Sequence, residues 1–180
     1  MQAEILEAKV SAVVARAYRI GQLQELPGNE CWRWATLACM TLRMAGCRAI
    51  MQAGSARFPM YARADAPDTE STHFSYEWEL SPRTLDRVRC RLLPEMHVWC
   101  ALPDLGAVVD CTVGFQQANA LAMGIERKWT SKLPDIFIGG AEAAGDLWLS
   151  YVADQAAIEL LAALRNGEGR EIEAWLSAHR

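Results

Sequence analysis

Three residues carry the chemistry this chain could do: Cys31, His97 and Asp110. Cys31 follows the polar turn Pro27-Gly28-Asn29-Glu30 and opens the apolar stretch CWRWATLACM, which reads as a helix. Structural cysteines belong inside apolar runs. A thiol at a helix start sits where the partial positive charge of the unpaired N–H groups favours thiolate. Asn29 suits the N-cap of that helix. A cysteine nucleophile also needs a base, usually a histidine oriented by a third group.

The three histidines can be sorted by position. His179 is the penultimate residue, where order is least assured. His73 shares the polar face of an alternating segment with Ser75, Glu77 and Glu79 and reads as solvated. His97 starts HVWCAL, and a Pro103-Asp104-Leu105-Gly106 turn joins that segment to AVVDCTVGF. Those turn residues predict a β-hairpin. With an even loop, paired positions sum to 209, so Leu102 opposes Ala107, Trp99 opposes Asp110 and His97 opposes Thr112. Opposed residues share a face; His97, Trp99, Asp110 and Thr112 therefore lie together, and Val98, Cys100, Val109, Cys111 and Val113 lie on the other side. His97 and Asp110 become diagonal neighbours about 6–8 Å apart at Cβ, within side-chain reach. A three-residue loop would separate them. An aspartate within AVVDCTV needs a partner if buried, and His97 is the expected one.

The roles follow from chemistry. Asp110 would fix the imidazole tautomer and stabilise imidazolium, while His97 would take the thiol proton and later deliver it to the leaving group. Cys31 would attack a carbonyl carbon and form a thioester. The oxyanion would be met by the Cys31 N–H plus one donor from the preceding loop, with Gln22 and Gln24 as candidates. Trp99 would roof the His97–Asp110 pair, and Trp32 would line the substrate cleft or pack on the sheet.

These residues must be positioned by the elements around them. Residues 3–20 carry Ile5, Leu6, Val10, Val13, Val14 and Ala17 at three-four spacing, an amphipathic helix. A loop, 21–30, leads to the helix 31–45, apolar nearly all round and so central and largely buried, ending at Gly46. Residues 47–58 read as a strand, 59–72 as a polar loop, and 73–80 as a half-buried strand with Phe74, Tyr76, Trp78 and Leu80 on one face. No element is assigned to 81–93. After the hairpin come a helix near 115–123, a strand at 147–152 and helices at 154–165 and 169–178. The expected architecture is one α+β domain over 1–180, a helix packed on an antiparallel sheet.

Composition narrows the classes. Apolar residues make up 52% and charged residues 22% of 180, as in ordinary globular chains. A net charge of −4 gives no case for nucleic acid; Arg83, Arg87, Arg89 and Arg91 read as a solvated face. Glu4, Glu7, Lys9 and Arg16 interrupt any signal-peptide or membrane-spanning run, so the expectation is a cytoplasmic protein with six reduced cysteines, although export as an effector without a standard signal stays open. No C-x-x-C spacing marks a zinc or redox site; Cys90, Cys100 and Cys111 could cluster on a metal, with reduced core cysteines the preferred reading. The excess of arginine over lysine and the abundant alanine suggest a GC-rich bacterial genome.

Cys31 at a helix start, His97 in H-V-W on a strand and Asp110 in V-D-C-T on the next resemble the transglutaminase-like branch of papain-fold cysteine enzymes, over roughly residues 28–114. The resemblance implies a papain-like core, with 115–180 supplying the C-terminal strand and helices, and a Cys-His-Asp triad without cofactor or metal. It implies a thiol-dependent acyl-transfer enzyme acting on a peptide, protein or small amide, with hydrolysis favoured over transfer to an amine. The family often places a tryptophan upstream of its nucleophile; here Trp32 and Trp34 follow it. Arylamine N-acetyltransferases share the triad order, but their additional C-terminal domain does not fit 180 residues, which leaves coenzyme A little support. The rival class is a non-catalytic binding module on the same fold. Oligomeric state is not expressed in the sequence.

Overall fold

The computed structural model of the protein describes residues 2–66, 72–90, 92–142, 148–166 and 169–179, and the backbone alone at 2–6 and 169. The predicted side-chain contributions of Ile5 and Leu6, the middle of the 59–72 loop, Arg91 and Leu147 lie outside the described residues. The chain is α+β, and its antiparallel strands form one sheet in the order β2-β1-β3-β4-β5, with β6 also paired to β1.

Helix α1 (Gln2–Leu23) buries Val10, Val14 and Ala17 at helical spacing. It packs on α2 (Cys31–Met44), where Tyr18 meets Trp34 at a ring separation of 5.3 Å. Gly21 makes this approach possible, because a Cβ there would stand 2.3 Å from the Trp34 ring. The buried stripe of α2 is Trp34, Ala35, Ala38, Cys39 and Leu42. Contrary to expectation the helix is not largely buried: Met40 and Met44 are 55% and 88% exposed. Apolar residues all round the helix gave the wrong impression because only one side of it meets the sheet and α1. The helix ends where Gly46 adopts φ 81°.

Strand β1 (Ile50–Pro59) pairs with β3 (His97–Leu102) from Gly54↔His97 to Ile50↔Ala101. Its second half pairs with β6 (Ser150–Ala153) and with β2 (His73–Tyr76), so that Ala56 opposes both Tyr151 and Tyr76. Gly54 is the branch point. It has φ 154°, and a Cβ would stand 2.2 Å from the carbonyl oxygen of Val152. Gly54 and Ala56 leave room on their face for the rings of His97, Tyr76 and Tyr151.

The alternating segment 73–80 leaves the sheet after Tyr76. The Ser55 hydroxyl accepts from the Trp78 N–H at 2.9 Å in place of a ladder bond, and Leu80 is 42% exposed. Helix α3 (Pro82–Arg89) then follows, with Ser81 as N-cap and Pro82 in its first turn. The arginines there are more than a solvated face: Arg87 donates twice to the Leu93 carbonyl, and Arg83 and Arg87 line the main cleft.

The hairpin forms as its turn chemistry predicts. Pro103–Leu105 is one 3₁₀ turn, Gly106 is left-handed at φ 59°, and the pairs Leu102↔Ala107, Ala101↔Val108 and Cys100↔Val109 keep the sum of 209. Strand β4 (Ala107–Asp110) is shorter than the sequence suggested. Asp110 Oδ1 accepts from the Thr112 N–H at 2.8 Å, a local turn that competes with the ladder. The chain bends, and Val113 joins the core containing Trp99 rather than the Cys100 side. Helix α4 (Gln116–Ala122) follows. Strand β5 (Phe137–Gly139), too short to show a period, pairs with β4. Helices α5 (Gln155–Asn166) and α6 (Gly169–Ala178) complete the fold, with Leu160, Trp175 and Leu176 buried among Ala35 and Val98.

Candidate active site

The even hairpin loop brings His97 and Asp110 together. Nε2 of His97 donates to Oδ2 of Asp110 at 2.9 Å, and the two residues are 0% and 2% exposed. Asp110 is saturated: Oδ2 also accepts from the Tyr151 hydroxyl at 2.9 Å, and Oδ1 accepts from the Thr112 N–H and hydroxyl at 2.8 and 2.6 Å. Four donors converge on one carboxylate, as a buried charge requires.

The electrostatics follow from this arrangement. Burial alone would raise the Asp110 carboxyl, but the His97 charge and the bonds from His97 and Thr112 outweigh it and hold its pKa below the usual range. Burial alone would lower the His97 imidazole, but the Asp110 carboxylate, with a further contribution from Cys31, pushes it up to about 10. The pair is thus an imidazolium–carboxylate pair at neutral pH.

Helix α2 runs in the same sense as β3. Cys100 influences the Cys39 thiol towards one end, and Cys31 contributes to the raised pKa of His97 at the other. Nε2 being committed to Asp110, the remaining ring nitrogen is Nδ1, which is buried without a hydrogen-bond partner. Cys31 is half-buried and is the one member of the three that lines the cleft, a cavity of about 870 Å³. The cleft runs between α3, α5 and the segment before β3, with Trp32, Met96, Val98, Leu161 and Leu164 as apolar lining.

Four aromatic rings frame the imidazole, with Tyr151 tilted at 6.2 Å and 39°. Tyr76 stacks on it at 5.1 Å and 23°, Trp99 lies nearly parallel at 6.2 Å and 18°, and Phe58 meets it edge-on at 5.3 Å. Trp99 is 2% exposed and shares the His97 face as the register required. Trp32, 40% exposed, lines the cleft.

The lead-in loop departs from expectation. Glu30, not Asn29, is the N-cap residue of α2, and it makes no side-chain cap bond; its carboxylate accepts from Arg33 at 2.7 Å instead. The N–H groups opening α2 thus have no side-chain acceptor. Gln22 and Gln24 are not brought to the site. Gln22 and Gln24 are exposed, and neither lines the cleft, because α1 continues to Leu23 and turns their side chains elsewhere. Asn29 does line it.

The other histidines stay apart from Cys31. His73 is half-buried rather than solvated, its ring edge-on to Trp148 at 4.9 Å. His179 stacks on Trp175. All six cysteines are free. Cys90 is exposed while Cys100 and Cys111 are buried, and among the described residues no group of three or more His, Cys, Asp or Glu could hold a metal. Among the described residues no helix is long and apolar enough to cross a membrane.

Sequence reasoning missed Tyr151, Gln116, Asn119 and Gly54. A tyrosine within an apolar strand and a glycine inside a strand were available signals, as were the three amides, Gln116, Gln117 and Asn119, opening a short helix. Comparison with family models, with curated proteins and with solved structures finds no match.

Proposed function

We propose that the protein is a thiol-dependent acyl-transfer enzyme that hydrolyses an amide or peptide bond, with Cys31 as nucleophile, His97 as acid and base, and Asp110 as the group that orients and charges His97. The observation that carries this reading is the asymmetry of one buried imidazole. One nitrogen is fixed by a saturated carboxylate, the other is buried without a hydrogen-bond partner, and the thiol that contributes to the raised His97 pKa lines a cleft. A purely structural histidine would satisfy both nitrogens. Catalytic contacts are often loose before substrate binds.

In the reaction the proton of Cys31 resides on His97 Nδ1, as a thiolate–imidazolium pair, and the sulfur attacks the carbonyl carbon. The resulting oxyanion meets the Cys31 N–H, with the Asn29 side chain as the second donor. The C–N bond breaks, the amine leaves with the proton from His97, and a thioester remains. Water then attacks the thioester, giving its proton to His97, and the acid departs as the thiol is restored. Trp99, Phe58 and Tyr76 keep water from the imidazolium, where the Asp110 charge is worth more than in solvent.

The arrangement also supports a papain-like core of the transglutaminase-like kind: a cysteine-bearing helix on an antiparallel sheet whose neighbouring strands carry histidine and aspartate. The test is the pH dependence of iodoacetamide alkylation, mapped to each cysteine by mass spectrometry in wild type and His97→Ala. Labelling of Cys31 well below pH 7 that vanishes in the variant is expected. Labelling that rises only near pH 8.5, the ordinary thiol value, or that ignores His97, removes the triad. Cys90, exposed at the end of α3, serves as the reference thiol.

A further inference from the structure

A chain of hydrogen bonds outside the triad joins its two halves. Gln116 is wholly buried, and its Nε2 donates to the Thr112 carbonyl at 3.0 Å and to the Thr112 hydroxyl oxygen at 3.3 Å. Thr112 in turn holds Asp110. The amide oxygen of Gln116 accepts from the Tyr76 hydroxyl at 3.1 Å and from Asn119 Nδ2 at 3.4 Å. Asn119 Nδ2 also lies within reach of the carbonyl of Gly28 at 3.3 Å, three residues before Cys31, and of the Tyr76 hydroxyl oxygen at 3.5 Å. The Tyr76 ring stacks on His97 and lines the cleft.

The far end of the chain is held by packing as well. Gly28 lies against Phe115, where a Cβ would stand 2.5 Å from the ring, and the neighbouring Pro27 carbonyl accepts from the Trp34 indole at 3.1 Å. Gln116 and Asn119 sit on one face of α4, whose start is fixed by the Asp110–Thr112 turn. The loop that delivers the thiol is therefore anchored to the structure that holds the carboxylate, and Tyr76 connects that anchor to the imidazole.

We propose that Tyr76, through the Gln116–Asn119 amide pair, is a positioning residue that sets the register of the Cys31 loop against the His97–Asp110 pair. The inference rests on the triad reading given above. The ring covers the imidazole face. The hydroxyl completes Gln116 Oε1, so that the Asn119 amide stays directed at Gly28. Without the hydroxyl Gln116 Oε1 loses one of its two donors and Asn119 one of its acceptors, so the amide that holds Gly28 is restrained less firmly. The thiol then meets Nδ1 less often, while the imidazole stays stacked and charged.

The test uses Tyr76→Phe, Asn119→Ala and the double variant, with two readouts. Alkylation of Cys31 at pH 6.5 is expected to slow about threefold to tenfold in each single variant, the change that one lost hydrogen bond makes to an equilibrium. The high-pH limiting rate should stay at the wild-type value, and the double variant should be no slower than the worse single one, because both changes cut one tether. Amide hydrogen exchange over residues 24–30 should quicken in all three. An unchanged pH profile, or a rate lowered equally at every pH, overturns the positioning role even if exchange quickens; unchanged exchange removes the tether itself. Failure of the triad reading appears separately, as wild-type Cys31 labelling that does not depend on His97, and the positioning role falls with it.

Discussion

Replacing Asp110 by asparagine tests the site most sharply, because the change is nearly isosteric and its outcome is dictated by donor counting. The carboxylate accepts from four donors. Asparagine supplies one oxygen and an NH₂ group. The Thr112 N–H cannot rotate away, so the amide oxygen stays with Thr112 and the NH₂ faces His97 Nε2 and the Tyr151 hydroxyl. His97 must then accept at Nε2, which places its single proton on Nδ1, towards Cys31. The base is lost and burial, the larger influence on this imidazole, keeps it neutral.

Removing one partner of a buried pair costs about 3–5 kcal/mol, or roughly 6–20 °C in Tm for a chain of this size. The dependence on pH has a definite sign. The raised pKa of His97 contributes stability fully present below its ordinary value near 6.5 and lost as pH climbs through about 10. The depressed pKa of Asp110 contributes stability present above its ordinary value of about 3.9 and lost as pH falls through the folded one. The gap between wild type and Asp110→Asn in urea titrations should therefore be widest between about pH 4 and 6.5, and should narrow towards pH 10. Cys31 labelling at pH 6.5 should fall in the variant if His97 carries the thiol's proton. A stability gap independent of pH, or wild-type labelling in the variant, would refute the charged pair.

Further substitutions separate the roles of neighbouring groups. Tyr151→Phe removes one bond to a buried charge and should cost about 1.5–3 kcal/mol by chemical denaturation, with Cys31 labelling slowed but still dependent on His97. Gly54→Ala forces a Cβ against the Val152 carbonyl at the branch of the sheet; a loss of more than about 2 kcal/mol is expected, and an unchanged Tm would contradict the geometry. Gln22→Ala and Gln24→Ala should leave Cys31 labelling and any amide hydrolysis at wild-type rates. Asn29→Ala should slow hydrolysis by about 10²–10³ in kcat if its amide meets the oxyanion, while iodoacetamide labelling, which forms no oxyanion, stays unchanged.

The site's backbone was legible where local rules act alone. Pro103 and Gly106 fix a four-residue turn, the turn fixes a sum of 209, and that sum alone places His97 beside Asp110. Cys31 was legible because polar turn residues abut an apolar helix. What could not be read needs the third dimension. The end of β4 is set by the Asp110 side chain bonding its own backbone two residues on, which truncates a run that composition would extend to Phe115. The release of 77–80 from the sheet is set by Ser55, more than twenty residues away. Gln22 and Gln24 were candidates as polar residues of the lead-in loop, which spacing could not settle, and the length of α1 decides where they point. Strand β5, three residues long, is a strand because β4 offers it an edge and not because its own pattern demands one.

The ion pair itself argues for chemistry rather than stability. Apolar side chains of similar volume in place of a buried ion pair are often as stable or more so, and the surroundings here are already suited to them: Phe58, Trp99, Val113 and Phe137 form one apolar core around the pair. The fold goes further and arranges for the charge. Gly54 and Ala56 make space for three rings, Thr112 spends both its N–H and its hydroxyl on the carboxylate, and Tyr151 is brought from the last strand to complete it. Saturating Asp110 in this way fixes one imidazolium proton on Nε2 and leaves Nδ1 without a hydrogen-bond partner. A scaffold that satisfies every donor around a buried charge and leaves Nδ1 open is what the proposed proton transfer from Cys31 requires.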